Sequence, residues 1–256
     1  MNQDLVDYIL HLADNALVLG HQNSKWCGHG PVLEQDIAIT NISLDLVGQA
    51  RNFYQYAARV INLSDNKIDP VTEDSLAYLR DTREFKNLLL LEQPNGDWAK
   101  TILRQFLFTT YQFYLYQQLQ NSKDTQLAAI AEKSLKEVTY HLRWSSEWMI
   151  RLGDGTEISH HKMLAAIDSL WMYTGELFAD STYEIWAIKN QIAFDLNGLK
   201  NNWEEKAKEI FEEATLTFPG KTFMQTGGKE GRHTEHLGFI LADLQFMQRA
   251  YPGCEW

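Results

Sequence analysis

The sequence predicts an all-α protein, an antiparallel helical bundle with additional C-terminal helices. Three observations predict it. Apolar residues recur at helical spacing along most of the 256 residues, the breaks between these stretches are short and rich in turn-forming residues, and no stretch alternates as a strand would. Consecutive helices of about 18 to 29 residues joined by short loops pack antiparallel.

The first helix runs from about Gln3 to Gly20, with Leu5, Ile9, Leu12, Ala16 and Leu19 at helical spacing. The loop Trp26-Cys27-Gly28-His29-Gly30-Pro31 then places Pro31 at the first turn of a second helix, Val32 to Val60, where its missing N–H costs nothing. After a break over Asp65 to Thr72, a third helix is expected from about Glu73 to Leu91. Gln93-Pro94-Asn95-Gly96-Asp97 reads as a tight turn, with Asp97 the N-cap of a fourth helix that reaches Gln120. A fifth helix, Asp124 to Leu152, presents Leu127, Ile130, Leu135, Val138, Leu142 and Met149 for burial and stops at Gly153-Asp154-Gly155. A sixth follows from His160 to Phe178. Beyond it, Tyr183 to Ile188 and Trp203 to Glu213 are shorter helices, and the Gly-rich segment Thr226 to Gly231 leads into a last helix, Thr234 to Ala250. The expected organisation is one domain over 1–256, with a core bundle of about 1–180 and a helical extension of about 181–256.

Composition bounds the function. Hydrophobic residues make up 45% and aromatics 12%, including eight Trp, so the chain can bury a large core. A net charge of −11 argues against a surface for nucleic acid, which needs clustered cations. No apolar run approaches the ~18 residues of a membrane span. Met1-Asn2-Gln3-Asp4 lacks the basic start of a signal peptide, and two cysteines, Cys27 and Cys254, fit a reducing cytoplasm.

The second helix carries a line of polar residues, Glu34, Asn41, Asp45, Asn52 and Arg59, within about 40° of one another. Leu33, Ile37, Leu44 and Val47 flank it on one side, and Ile39, Ile42, Leu46, Ala50 and Phe53 on the other. Amides and isolated carboxylates between two apolar flanks point to polar groups held inside a bundle and hydrogen-bonded there, the alternative being an ordinary water-facing stripe. Helical bundles hold dinuclear metal centres with a lone carboxylate on each of two helices and a Glu-x-x-His pair on each of the other two. Only Glu157/His160 and Glu230/His233 have that spacing, and both adjoin glycine turns, which places them at bundle ends in water. Within the fifth helix, His141 lies four residues after Glu137 instead of three. Lys133, one turn before Glu137, makes a Lys–Glu–His column that is stable without metal the favoured reading.

Gly227-Gly228-Lys229 resembles a phosphate-binding loop, but Phe223 stands where its first glycine belongs and neither Ser nor Thr follows Lys229. A flexible turn is the simpler reading. The other is that Lys229, Arg232 and the following helix N-terminus meet a phosphate or an acidic partner. His233 and His236 share a face without a cysteine nearby to complete a zinc site, and no Gly-x-Ser-x-Gly elbow is present.

Several long strings carry a more specific signal. Trp26-Cys27-Gly28-His29, Asp45-Leu46-Val47-Gly48-Gln49-Ala50-Arg51-Asn52 and Asn87 through Gly96 come first; Thr226-Gly227-Gly228-Lys229, His233 through Gly238 and the closing Gln248-Arg249, Pro252-Gly253 and Trp256 follow. Together they resemble the non-catalytic ferritin-like subunits of bacterial phenylacetyl-CoA epoxidases, over almost the whole length. The resemblance implies a ferritin-like bundle in a multicomponent monooxygenase of aerobic phenylacetate degradation. A sister subunit there holds the di-iron site and binds phenylacetyl-CoA, and a reductase carrying FAD and an iron–sulfur cluster supplies electrons from NADPH. It further implies no cofactor in this chain and degenerate metal-site positions. Asp45 takes the lone-carboxylate place, Thr109 a ligand place, and Glu137 pairs with Tyr140, with His141 beside it, while Glu73 and Glu84 are followed at the His spacing by Leu76 and Asn87. On this reading Asp45 and Glu137 close internal salt bridges. Two other classes compete, an autonomous di-iron oxygenase using Asp45, Glu137 and His141, and a helical module that binds CoA thioesters without chemistry.

Overall fold

The computed structural model describes residues 2–64 and 70–254. Among them there is no strand, and helices take up most of the chain, in agreement with the all-α, ferritin-like class expected. Most of the expected break at Asp65 to Thr72, and Trp256 of the recognised strings, lie outside the described residues. Among the described residues no helix is long and apolar enough to cross a membrane. The chain forms two compact units, one of Met1–Glu92, Ser181–Ala187 and Gly227–Trp256, the other of Gln93–Asp180 and Ile188–Thr226. The stretch read from sequence as a single C-terminal extension is divided between them.

In the first unit, α1 (Gln3–Ser24) and α2 (Leu33–Ser64) are each longer than their apolar periodicity predicts. Their antiparallel register follows from two bonds: the Ser43 hydroxyl donates to the Gly20 carbonyl at 2.6 Å, and the Tyr54 hydroxyl to Asp14 at 2.5 Å. Ile39, Ile42, Leu46 and Phe53 are completely buried, each worth about 1.5–3 kcal/mol. The opposite flank is not. Leu33 is 72% exposed and Leu44 65%, with Ile37 and Val47 also open. The polar line follows them outward: Glu34, Asn41 and Arg59 are exposed, and Asp45 and Asn52 are half-buried. The expectation that this line lies inside a bundle is therefore corrected, since only one side of α2 enters the core of its unit.

A second correction concerns the expected helix from Glu73 to Leu91. The chain forms α3 (Glu73–Tyr78), a 3-10 turn at Thr82–Glu84 and the short α4 (Leu89–Glu92), with a non-helical stretch between the last two. Side chains of α1 replace the missing helical bonds. Asp14 accepts the Lys86 N–H at 2.8 Å, Asn15 accepts the Leu88 N–H at 2.8 Å, and His11 meets the Lys86 carbonyl at 2.7 Å.

In the second unit, α5 (Trp98–Leu119) and α6 (Thr125–Gly153) begin where the sequence predicts. Asp97 caps the Lys100 N–H at 3.1 Å, and Asp124 caps Gln126 and Leu127, both at 3.0 Å. The two run antiparallel, with Trp98 at the start of α5 edge-on to Trp144 and Trp148 near the end of α6. α7 (Glu157–Leu170) starts three residues before the expected His160, because Thr156 and Ser159 form a capping box, and it tightens into a 3-10 helix at Trp171–Phe178. Gly175 permits that tightening to pack, since a Cβ there would stand 2.6 Å from the Met224 side chain. α8 (Thr182–Lys189) belongs up to Ala187 to the first unit, and in the second α9 (Leu196–Glu213) is fixed by Trp203, whose indole N–H donates to the Leu107 carbonyl at 2.9 Å.

Candidate functional site

The densest buried chemistry lies on α1, in the first unit. His11 and Asp14 are 0% exposed and Asn15 3%. A carboxylate so placed needs several donors to offset its lost hydration, and Asp14 has four. They are the Tyr54 hydroxyl, the Lys86 N–H and both terminal nitrogens of Arg80, one of them at 3.1 Å. Arg80 is itself buried over the Phe85 ring at 4.2 Å and also donates to the carbonyls of Leu76 and Glu84. Burial works against its charge, but the Asp14 carboxylate outweighs that and holds its pKa above the usual value.

A second pair lies close by. The Lys229 ammonium sits 2.9 and 3.0 Å from the two Glu184 oxygens, both side chains are buried, and Ser181 donates its N–H and hydroxyl to the same carboxylate. Burial pushes the Glu184 carboxyl upward, and Lys229 more than compensates, so it is held below the ordinary range. Gly228 admits the loop that delivers Lys229, since a Cβ there would stand 2.2 Å from the Asn87 carbonyl. A third cluster centres on Glu92, completely buried, which accepts His233 Nδ1 at 2.9 Å, the Asn87 amide at 3.1 Å and the Thr234 N–H at 2.6 Å. Thr234 is the N-cap of α10 (Glu235–Ala250), so a carboxylate of this unit already occupies that helix N-terminus.

His11 and His233 take opposite protonation states. His233 faces an acceptor on each side, Glu92 and the Phe85 carbonyl, so both ring nitrogens donate; burial opposes the charge, yet Glu92 raises its pKa. His11 donates through Nδ1 to the Lys86 carbonyl and receives the Asn15 amide at Nε2, 3.2 Å away. Burial lowers its pKa to about 4, with the Glu184 charge opposing and the Lys229 charge assisting. A folded-state pKa below the unfolded 6.5 means that stability is lost as pH falls from 6.5 towards 4, by roughly 3 kcal/mol for His11. His233 has the opposite sign, contributing stability that is whole below 6.5 and lost as pH rises through its raised value. Urea midpoints at pH 5 and 7 should therefore diverge less in His11→Gln than in the unaltered chain. An unchanged difference would rule out His11 as its source.

The residues expected to form a degenerate metal site are placed as follows. Asp45 is half-buried on the outer side of α2. In the second unit, Thr109 is completely buried and its hydroxyl accepts the Gln105 amide at 2.7 Å. Glu137 is half-buried, Tyr140 is 39% exposed, and His141 is buried. Within that unit the iron-binding donors of this set are thus one carboxylate and one imidazole, too few for a dinuclear centre. Among the described residues no group of three or more His, Cys, Asp or Glu is placed to hold a metal ion. The two Glu-x-x-His pairs are not pairs in space: His160 bonds the Gly153 carbonyl, His161 approaches Glu157, and Glu230 meets Arg232. His233, expected in water, is buried against Glu92. Lys229, expected to reach outward, is buried against Glu184, while Arg232 is exposed.

Sequence reasoning missed His11, Asp14, Asn15, Arg80, Glu92 and Glu184. A signal for the first three was present: polar residues one turn apart on a helix whose other positions are mostly apolar.

Among known proteins, the family described as phenylacetic acid catabolic protein matches residues 1–256. The chain is also 48% identical over 256 residues, covering 100% of both sequences, to a protein of Escherichia coli (strain K12) that is named as a subunit of 1,2-phenylacetyl-CoA epoxidase.

Proposed function

Since this chain belongs to the phenylacetic acid catabolic protein family, we propose that it is the structural, non-catalytic subunit of a phenylacetyl-CoA epoxidase. In this reading it pairs with and stabilises a cytoplasmic di-iron subunit that inserts one oxygen atom of O2 into the substrate's aromatic ring. A reductase carrying FAD and an iron–sulfur cluster supplies electrons from NADPH. The single observation that carries the proposal is 48% identity, end to end, with a protein named as a subunit of that enzyme.

Two features of the chain support the non-catalytic part. In this reading Asp45, Thr109, Glu137, Tyr140 and His141 correspond to lost iron ligands, and of this set the second unit holds one carboxylate and one imidazole, fewer donors than a dinuclear centre uses. The apolar flank of α2, from Leu33 to Val47, is the kind of surface that an obligate partner covers.

The test is iron content and turnover. The chain purified alone from iron-replete cells should contain well below one iron per chain and should consume no NADPH with reductase and phenylacetyl-CoA. Adding the catalytic subunit should produce a co-eluting complex and epoxidation, and leaving this chain out should abolish both. Iron near two per chain, with turnover by the chain and reductase alone, would overturn the proposal in favour of an autonomous oxygenase.

A further inference from the structure

The last helix of the first unit carries an exposed aromatic face. On α10, Leu237, Ile240, Leu241 and Gln245 turn inward and are buried. On the opposite side Glu235, Phe239, Ala242, Phe246 and Ala250 recur at helical spacing, and all five are exposed. Phe239 is 67% exposed and Phe246 61%, two rings one heptad apart. Leu79, also exposed, extends the patch at the C-terminal end of the helix, where Arg249 donates to its carbonyl at 3.2 Å. Large apolar side chains gathered in one exposed place mark a contact with another chain.

This face is complementary to itself. Beside Phe246 lies a shallow hollow of about 510 Å³, walled by Ala242, Arg249 and Ala250 on α10 and by Asp81 and Thr82 across from them. Gly238 opens one end of it, with free space where a Cβ would stand. Phe239 is thus a knob, and the hollow beside Phe246 a hole, two helical turns apart on one helix. A second α10 laid antiparallel about a two-fold axis between Ala242 and Asp243 brings each Phe239 opposite the other copy's Phe246, at the other copy's hollow. The same axis brings Glu235, at the helix start, to Arg249 at the other copy's helix end. Arg249 keeps 44% of its side chain exposed although it meets Asp81 at 3.0 Å. Ala242, small and exposed, lets the two backbones approach at the crossing, and Asp243 beside it has its charge offset by Lys25 at 3.2 Å.

We propose that α10 is a self-association surface, through which two copies of this chain pair antiparallel with each Phe239 ring seated in the other's hollow. The occupant is a second copy because the face supplies both halves of the contact. Any other chain would have to present an aromatic knob, a hollow and opposite end charges in the same order, which a copy does by symmetry. Opposite charges at the two ends fix the register, and antiparallel helices set each positive N-terminus beside a negative C-terminus. The patch is confined to one helix and its neighbour, so the dimer belongs to the small, weak class of interfaces. It involves a different helix from the apolar flank of α2 and stands independently of the epoxidase reading.

Sedimentation of the full chain over a range of concentrations tests it. The chain alone should pass from monomer to dimer with a dissociation constant on the order of 10 µM. Phe246→Glu, on an exposed side chain, should weaken the dimer about tenfold or more and leave the thermal midpoint of the dilute monomer unchanged. Disulfide trapping reads the register, in chains whose exposed Cys27 and Cys254 are replaced by Ser. A mixture of Phe239→Cys and Phe246→Cys chains should cross-link to each other. Neither variant should cross-link to itself, because like positions lie about 10 Å apart along the axis, beyond the ~7 Å that a disulfide spans. A chain that stays monomeric up to about 1 mM, a dimer unaffected by Phe246→Glu, or equal cross-linking within each variant would overturn the proposal. So would dimers that form only when another subunit is added. None of these outcomes bears on the epoxidase reading, which is tested by iron and turnover.

Discussion

Asp14→Ala should lower the unfolding free energy by about 3–5 kcal/mol, a large share of the ~5–15 kcal/mol that holds a domain together. The carboxylate is completely buried and serves four donors at once. Its removal leaves the Arg80 guanidinium charged among apolar rings and strips the Lys86 N–H of its acceptor, and that N–H belongs to a segment that has already given up helical bonding. Tyr54→Phe provides the internal scale. It deletes one donor, leaves the ion pair, and should cost only about 1 kcal/mol. Urea unfolding of both variants distinguishes them, and native-state hydrogen exchange should show the Lys86 amide exposed in Asp14→Ala. Equal, small losses would mean that the buried pair contributes little beyond its neighbours.

The same residues explain what was legible in the sequence. Helix boundaries set by local capping were readable: Asp97 and Asp124 each cap the helix expected to follow them. The helix expected from Glu73 to Leu91 was not a helix, because the groups that break it come from α1, more than seventy positions away in the chain. Periodicity records what a segment can do alone and is blind to an acceptor delivered from elsewhere. Polar groups on a mainly apolar helix do lie inside this protein, but on α1 and not on α2. His11, Asp14 and Asn15 are the buried set, whereas the polar line of α2 faces outward. For Lys229, the glycines around it suggested a mobile turn. Gly228 is instead required for close approach to Asn87, and that approach buries the lysine.

Lys229→Met should likewise cost about 3–5 kcal/mol, because it leaves the Glu184 carboxylate buried with only Ser181 as donor. The pair is a different case from Asp14, since both members can be removed. Glu184→Met combined with Lys229→Met should recover most of the loss, an ion pair replaced by apolar side chains of similar size being close to neutral. The coupling in this double-mutant cycle then measures the interaction itself. A pH signature accompanies it. In the unaltered chain Lys229 holds the Glu184 carboxyl below its usual 4.5, so the associated stability is present above that pH and is lost as pH falls through the depressed value. Without Lys229, burial raises the Glu184 pKa with only the His11 charge and the Ser181 hydrogen bonds opposing it, so Lys229→Met should favour a protonated Glu184 and begin to lose stability with rising pH instead. Were Lys229 a contact for a phosphate or an acidic partner, its replacement would leave stability and pH dependence unchanged and weaken only binding. Reversal of the acid-side slope in the single variant, with recovery in the double, is the result that assigns it to the core.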